Sequence, residues 1–138
     1  HANQAGRRRL AGAVLAEGLQ QALPAISLTE HVSLSTAFNN DVDAKLTYAQ
    51  QVLGYGKKED VLLGLTTSGN SQNIIYAVYT AKVLGLKTIG MTGKDGGLIS
   101  RLADICIKVP EKETYRVQEL HLPVYHTICF MLENEFFS

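Results

Sequence analysis

The sequence predicts an α/β fold, a three-layer α/β/α sandwich built around a parallel sheet. Three observations carry that expectation. Helical and strand-like apolar patterns alternate along the chain, the strand-like runs are almost continuously apolar, and glycine or proline punctuates several junctions. A strand with one wet face alternates apolar and polar residues, whereas a strand apolar throughout is covered on both faces, as in parallel sheets. At 138 residues, 46% apolar and 19% charged, the chain can bury a sizeable core as one globular domain, 1–138. No internal repeat or low-complexity linker divides it.

Taken in order, His1–Gly6 read as a frayed end. Arg7-Arg8-Arg9 with the apolar stretch Leu10–Ala16 imitates a secretory leader. Glu17, Gln20 and Gln21 interrupt it, and Ala13, Ala16, Leu19 and Leu23 continue as an amphipathic helix with the arginines on a solvated face. Pro24–Leu28 reads as a short buried strand, and Asp41–Leu53 as a helix ended by Gly54 and Gly56. Asp60–Thr66 is the clearest strand. From Ser71, the residues Ile74, Ala77, Val78, Ala81 and Leu84 recur at helical spacing until Gly85 stops the helix.

Lys87–Thr92 is the next strand, followed by a short helix around Leu98–Ala103 and a strand over Asp104–Val109 that Pro110 ends. A final helix runs from about Arg116 to Phe136, with Leu120, Val124, Ile128 and Leu132 on its core face. Pro123 lies inside it. Either the helix kinks between Gln118 and His126, or it starts near Pro123 and leaves Gln118 in a loop. Phe130, Met131, Phe136 and Phe137 widen the apolar surface beyond a single stripe, which points to a homo-oligomer.

Thirteen lysines and arginines balance thirteen aspartates and glutamates, so no overall field attracts nucleic acid or an anionic membrane, and any anion must be bound locally. No apolar run approaches the roughly 20 residues that span a bilayer. Cys106 and Cys129 sit in apolar runs without redox or metal spacing and read as buried, reduced thiols, which suits a cytoplasmic protein.

In parallel sheets, ligands sit where strands end and loops enter helices. Thr66-Thr67-Ser68-Gly69-Asn70-Ser71 occupies that place. Four hydroxyls can donate to phosphate oxygens, Gly69 lets the backbone turn closely, and the helix after Ser71 offers free N–H groups and a positive dipole end. The loop has no lysine and no Walker spacing, which favours a hydroxyl-lined phosphate cup over a nucleotide-triphosphate site. The competing reading is a turn with Ser71 as a helix cap. Thr92–Gly97 reads equally as a ligand-edge loop or a structural turn, and Asn40-Asp41 as a sugar-hydroxyl partner or a helix cap.

The segment Gly64–Asn73 resembles the phosphate loop of the SIS (sugar isomerase) family, and within it the sedoheptulose 7-phosphate (phosphoheptose) isomerases. The likeness continues through Thr92–Gly97 and through Gln118-Glu119-Leu120-His121 to His126, and reaches back to Asn40-Asp41. It implies a flavodoxin-like fold and a phosphorylated sugar as ligand. It also implies that Thr66, Ser68 and Ser71 hold phosphate within the loop Thr66–Ser71, Gly69 and Asn70 included. Asp41, Thr67 and Gln118 would contact the sugar, and His126 would act as catalytic acid or base. Relatives are tetramers with sites between subunits, and some bind zinc, for which Gln118 and His126 would be ligands here. The family's glycine-glycine-serine loop and base-bearing helix are not recognisable in this sequence. The expectation is therefore a fragment lacking the first strand and N-terminal helices, or a chain that binds without isomerising.

The chemistry asked of such a site is a proton moved between neighbouring carbons through an enediol, which needs a base near carbon and an acid near oxygen. A histidine suits either task. His126 follows Gln118 by eight positions, about 80° around a helix, so both can border one cleft. His121 points about 140° away from His126 and reads as structural or interfacial. Two functions stay open: a ketose/aldose phosphate isomerase, or a non-catalytic sugar-phosphate sensor or protein-recruiting module.

Overall fold

The structure, a computed structural model, describes residues 12–137. The readings of His1–Gly6 and Arg7–Arg9 lie outside them. A helix α1 over 12–18 leads into an irregular stretch, so the amphipathic helix expected to reach Leu23 ends earlier. There follow α2 (Val32–Asp41), a 3-10 turn (Ala44–Leu46), α3 (Thr47–Tyr55), β1 (Val61–Leu65), α4 (Gln72–Leu84) and β2 (Lys87–Thr92). The chain closes with α5 (Ile99–Leu102), β3 (Ile105–Lys108) and α6 (Thr114–Phe137).

The three strands pair in the order β1-β2-β3, all parallel, with Leu63 beside Ile89 and Ile89 beside Ile105. This is the α/β architecture with a parallel sheet that the sequence predicts. Helices α4 and α5 cover one face. Leu62 of β1 packs into two clusters there, one of Val52, Ala77, Ala81 and Leu86, the other of Ile75, Val78 and Ile99. Gly90 is required at this contact, because a Cβ would stand 2.3 Å from Ile99 Cγ2. Val61, Leu63, Leu65 and Ile105 remain exposed.

Several expectations are corrected. Pro24–Leu28 forms no strand, since no ladder reaches it; Leu28 instead packs against the Val52 cluster, and its carbonyl accepts from Gln51 Nε2 at 2.9 Å. The helix expected over Asp41–Leu53 is two helices. Asp43 adopts an extended backbone (φ −158°, ψ 122°) and its carboxylate accepts from Lys45 N at 2.8 Å, so it caps a fresh start. Asp41 ends α2 rather than opening a helix, Gly54 lies within α3, and Gly56 is the residue that follows its end. Cys129 is exposed and Cys106 half-buried, contrary to the buried thiols expected.

Helix α4 matches its pattern, with Gly85 left-handed (φ 81°) at its end. Helix α6 runs unbroken through Pro123, which places Gln118 on the helix, and the Thr127 hydroxyl donates to Pro123 O at 2.7 Å.

Candidate functional site

The β1–α4 loop lies at the C-terminal end of the sheet, held from behind by backbone. Thr66 N donates to Met91 O, Gly93 N to Thr67 O, and Ile99 N to Gly69 O, each at 3.0 Å. Gly69 is left-handed (φ +71°), and a Cβ on it would stand 2.1 Å from Gly96 O. The glycines of Thr92–Gly97 therefore buttress the loop.

The side chains divide into those that brace the loop and those left for a ligand. Asn70 braces it: its Oδ1 accepts from Leu98 N at 2.9 Å, and its Nδ2 donates to Ser68 O at 3.3 Å. Ser68 Oγ accepts from Asn70 N at 3.1 Å, which fixes the hydroxyl and leaves its own proton free to donate outward. Ser71 occupies the N-cap position of α4, yet makes no side-chain cap bond; its hydroxyl pairs with Thr66 Oγ1 at 3.0 Å. That arrangement sets aside the simple cap reading. Ile74 N and Ile75 N are already spent on Ser71 O at 3.1 and 3.0 Å, and the N–H groups of Gln72 and Asn73, which open the helix, add donors and a positive dipole end to the same place.

A cleft of about 450 Å³ opens here, lined by Leu65, Thr66, Thr67 and Ser71 from the loop side and by Gln118, His121 and Tyr125 from α6. Of the residues expected at the site, Thr66, Thr67, Ser71 and Gln118 are thus brought together. Ser68, Gly69 and Asn70 shape the loop beside the cleft without lining it. His126 is exposed and off the lining, its ring edge-on to Tyr125 with centroids 5.0 Å apart. Asp41 is exposed at the end of α2 and does not line the cleft.

His121 and Tyr125 are cleft residues that the sequence reading missed. The signal was available: Gln118, His121 and Tyr125 stand at i, i+3 and i+7, one stripe of a helix.

A family model described as SIS domain matches residues 8–93, well over half of the chain. The chain belongs to the SIS domain family. This SIS domain is 44% identical over 117 residues to a phosphoheptose isomerase of Nitratiruptor sp., covering 85% of the chain and 63% of the relative. It is 45% identical over 119 residues to one of Clostridium acetobutylicum, covering 86% and 61%. A solved phosphoheptose isomerase from Francisella tularensis superimposes with a TM-score of 0.80 at 36% identity, over 83% of this chain and 62% of that one. Another, from Neisseria gonorrhoeae, gives 0.77 at 38%, over 79% and 62%. The SIS domain thus spans just over three fifths of the length of the relatives it matches.

Proposed function

We propose that this SIS domain binds a phosphorylated sugar with its phosphate against Thr66, Ser68, Ser71 and the start of α4. We further propose that the full protein isomerises sedoheptulose 7-phosphate through an enediol. The observation that carries the reading is Ser71, whose hydroxyl is withheld from its own helix and paired with Thr66 on the cleft wall. Bound phosphate would take both protons and give each hydroxyl a charged acceptor.

His126 is the proton-transfer group in this reading; it is off the cleft lining, and its ring stands edge-on to the lining residue Tyr125 with centroids 5.0 Å apart. It needs a partner on the other side of the sugar, and among the described residues no carboxylate lines the cleft. The partner then comes from outside the described residues or from a second subunit, which fits a homo-oligomer, dimer or tetramer; Phe130, Met131, Phe136 and Phe137 are exposed along α6. The second reading is a sensor or protein-recruiting module that binds and does not isomerise, and a lining of hydroxyls, Gln118, His121 and Tyr125 among the described residues serves it as well.

Zinc does not fit the described residues alone. Gln118 and His126 supply two donors, no group of three His, Cys, Asp or Glu side chains stands together among those residues, and zinc sites take about four ligands. A cytoplasmic location belongs to the same reading, supported by two free cysteines. Among the described residues no helix is long and apolar enough to cross a membrane.

The test uses the full protein. Replacing Ser68 and Ser71 by alanine should weaken sedoheptulose 7-phosphate binding by roughly 1.5–3 kcal/mol per lost hydrogen bond, and unchanged affinity by calorimetry would sink the assignment. His126→Asn should slow solvent-proton exchange into the sugar by roughly 10²–10⁴-fold with affinity largely kept. Binding without exchange in the unaltered protein would make the sensor the better reading. Sedimentation of the full protein as a monomer at all concentrations would remove the oligomer.

A further inference from the structure

We propose that His121 is a ligand-binding histidine of the cleft, one that hydrogen-bonds the bound sugar phosphate. The proposal rests on the cleft being the phosphosugar site, and it concerns a residue to which neither the Thr66–Ser71 motif nor the family resemblance gives a role. Three observations meet at this side chain. It is only 3% exposed, so its surroundings are set by the fold. Its ring forms part of the cleft wall with Gln118 and Tyr125. Its Nε2 is shut off from solvent and has no hydrogen-bond partner.

Protein interiors seldom leave such a nitrogen unpaired, because burial removes water without replacing it. Two other buried polar atoms among the described residues lack partners, Thr47 Oγ1 and Gln51 Oε1, and both belong to α3, where Gln51 Nε2 already donates to Leu28 O. Of the three, His121 is the one on the cleft wall. A histidine kept for the fold would spend its nitrogens on the fold.

The cleft supplies a reason for the vacancy. Its hydroxyls, Thr66 Oγ1 and Ser71 Oγ, pair with each other at 3.0 Å, and among the described residues no lysine or arginine stands on its wall. Phosphate or a neighbouring sugar oxygen would give Nε2 an acceptor when that nitrogen carries the ring proton, and the imidazole would add a ring N–H donor, a kind the loop does not provide. Because Nε2 is covered, the ring must turn about its side-chain torsions to engage. Side-chain changes of that kind are common on ligand binding, and site hydrogen bonds often tighten only in the complex.

The deciding experiment compares stability with affinity in the full chain. His121→Leu removes the nitrogens at similar volume. The expected result is a melting temperature held or raised by a few degrees, together with a loss of sedoheptulose 7-phosphate affinity of about tenfold or more. His121→Met, more adaptable in shape, gives the same reading should the leucine variant not fold, and His121→Gln, which keeps an N–H, should recover part of the affinity. Unchanged affinity in a folded leucine or methionine variant overturns the proposal. Ser68→Ala, measured alongside, separates the two claims. If Ser68→Ala weakens binding and the His121 variants do not, the proposal fails and the phosphate cup stands. If neither changes binding, or the unaltered chain does not bind, both fall.

Discussion

The two ends of the sheet treat their polar groups in opposite ways. At the N-terminal ends of β2 and β3, Asp104 is saturated from within the chain. Lys82 Nζ donates to Oδ1 at 2.8 Å, Thr88 N and Thr88 Oγ1 both donate to Oδ2 at 2.8 Å, and Asp104 N donates back to Thr88 Oγ1 at 3.0 Å. At the C-terminal end, Thr66 and Ser71 have only each other's hydroxyls, Ser71 leaves its helix uncapped, and His121 Nε2 has nothing. The first end closes its hydrogen bonds and so ties α4, β2 and β3 together. The second leaves them open, and holds the loop that carries them by backbone contacts behind it. A fold can leave donors unspent at one end because it is fastened at the other and beneath the loop.

The contrast can be broken at several points. The largest effect is expected from Gly69→Ala. A Cβ there meets Gly96 O at 2.1 Å in a left-handed backbone, so the loop must part from its buttress. We expect about 3 kcal/mol of lost stability by urea unfolding and no measurable sugar-phosphate binding. Asn70→Ala comes next. It removes the side chain that ties Ser68 O to Leu98 N, the latter 28 residues beyond Asn70, and should weaken phosphate binding by about 1 kcal/mol while the melting temperature falls by only a few degrees.

At the other end, the hydrogen bond from Lys82 and then those from Thr88 hold the Asp104 carboxyl well below the usual carboxylate range. A depressed folded value means that this contribution is complete above the ordinary aspartate range and drains away as the pH falls below it. Asp104→Asn should therefore flatten the acid side of the stability curve below about pH 4 and leave sugar-phosphate affinity unchanged at neutral pH. Both groups of the ion pair are well exposed, so added salt should shrink the effect. The smallest expected change is in the stability of Ser71→Ala. Because that hydroxyl does not cap α4, its removal should cost less than about 0.5 kcal/mol, short of the roughly 1 kcal/mol of a true cap, while binding weakens. A full cap-sized loss by denaturant titration would return Ser71 to an ordinary structural role.

Much of the fold is legible along the chain because its signals are local. The apolar run Val61–Leu65, the helical spacing from Ile74 to Ala81 and the stop at Gly85 each act within a few residues, and each element forms as read. The region before Lys57 misleads for the same reason. Pro24–Leu28 has strand composition, but a strand requires a neighbour, and Gln51 takes the Leu28 carbonyl instead. The break between α2 and α3 turns on Asp43, a capping residue that a continuous helical pattern hides.

The sequence by itself determined the alternation of strands and helices, the place of the hydroxyl loop at a strand end, and the absence of a lysine from it. Those follow from periodicity, residue type and chain order. Which groups of that loop are spent and which are free was decided only in three dimensions. Ser71 could cap its helix or face the cleft, Asn70 could meet a ligand or brace Leu98, and His121 could sit in the core or on the cleft wall. Each choice depends on partners 5 to 55 residues away, such as Thr66 for Ser71 and the cleft wall of the β1–α4 loop for His121. Helical spacing gives a side chain its direction around an axis, and only packing says what stands in that direction.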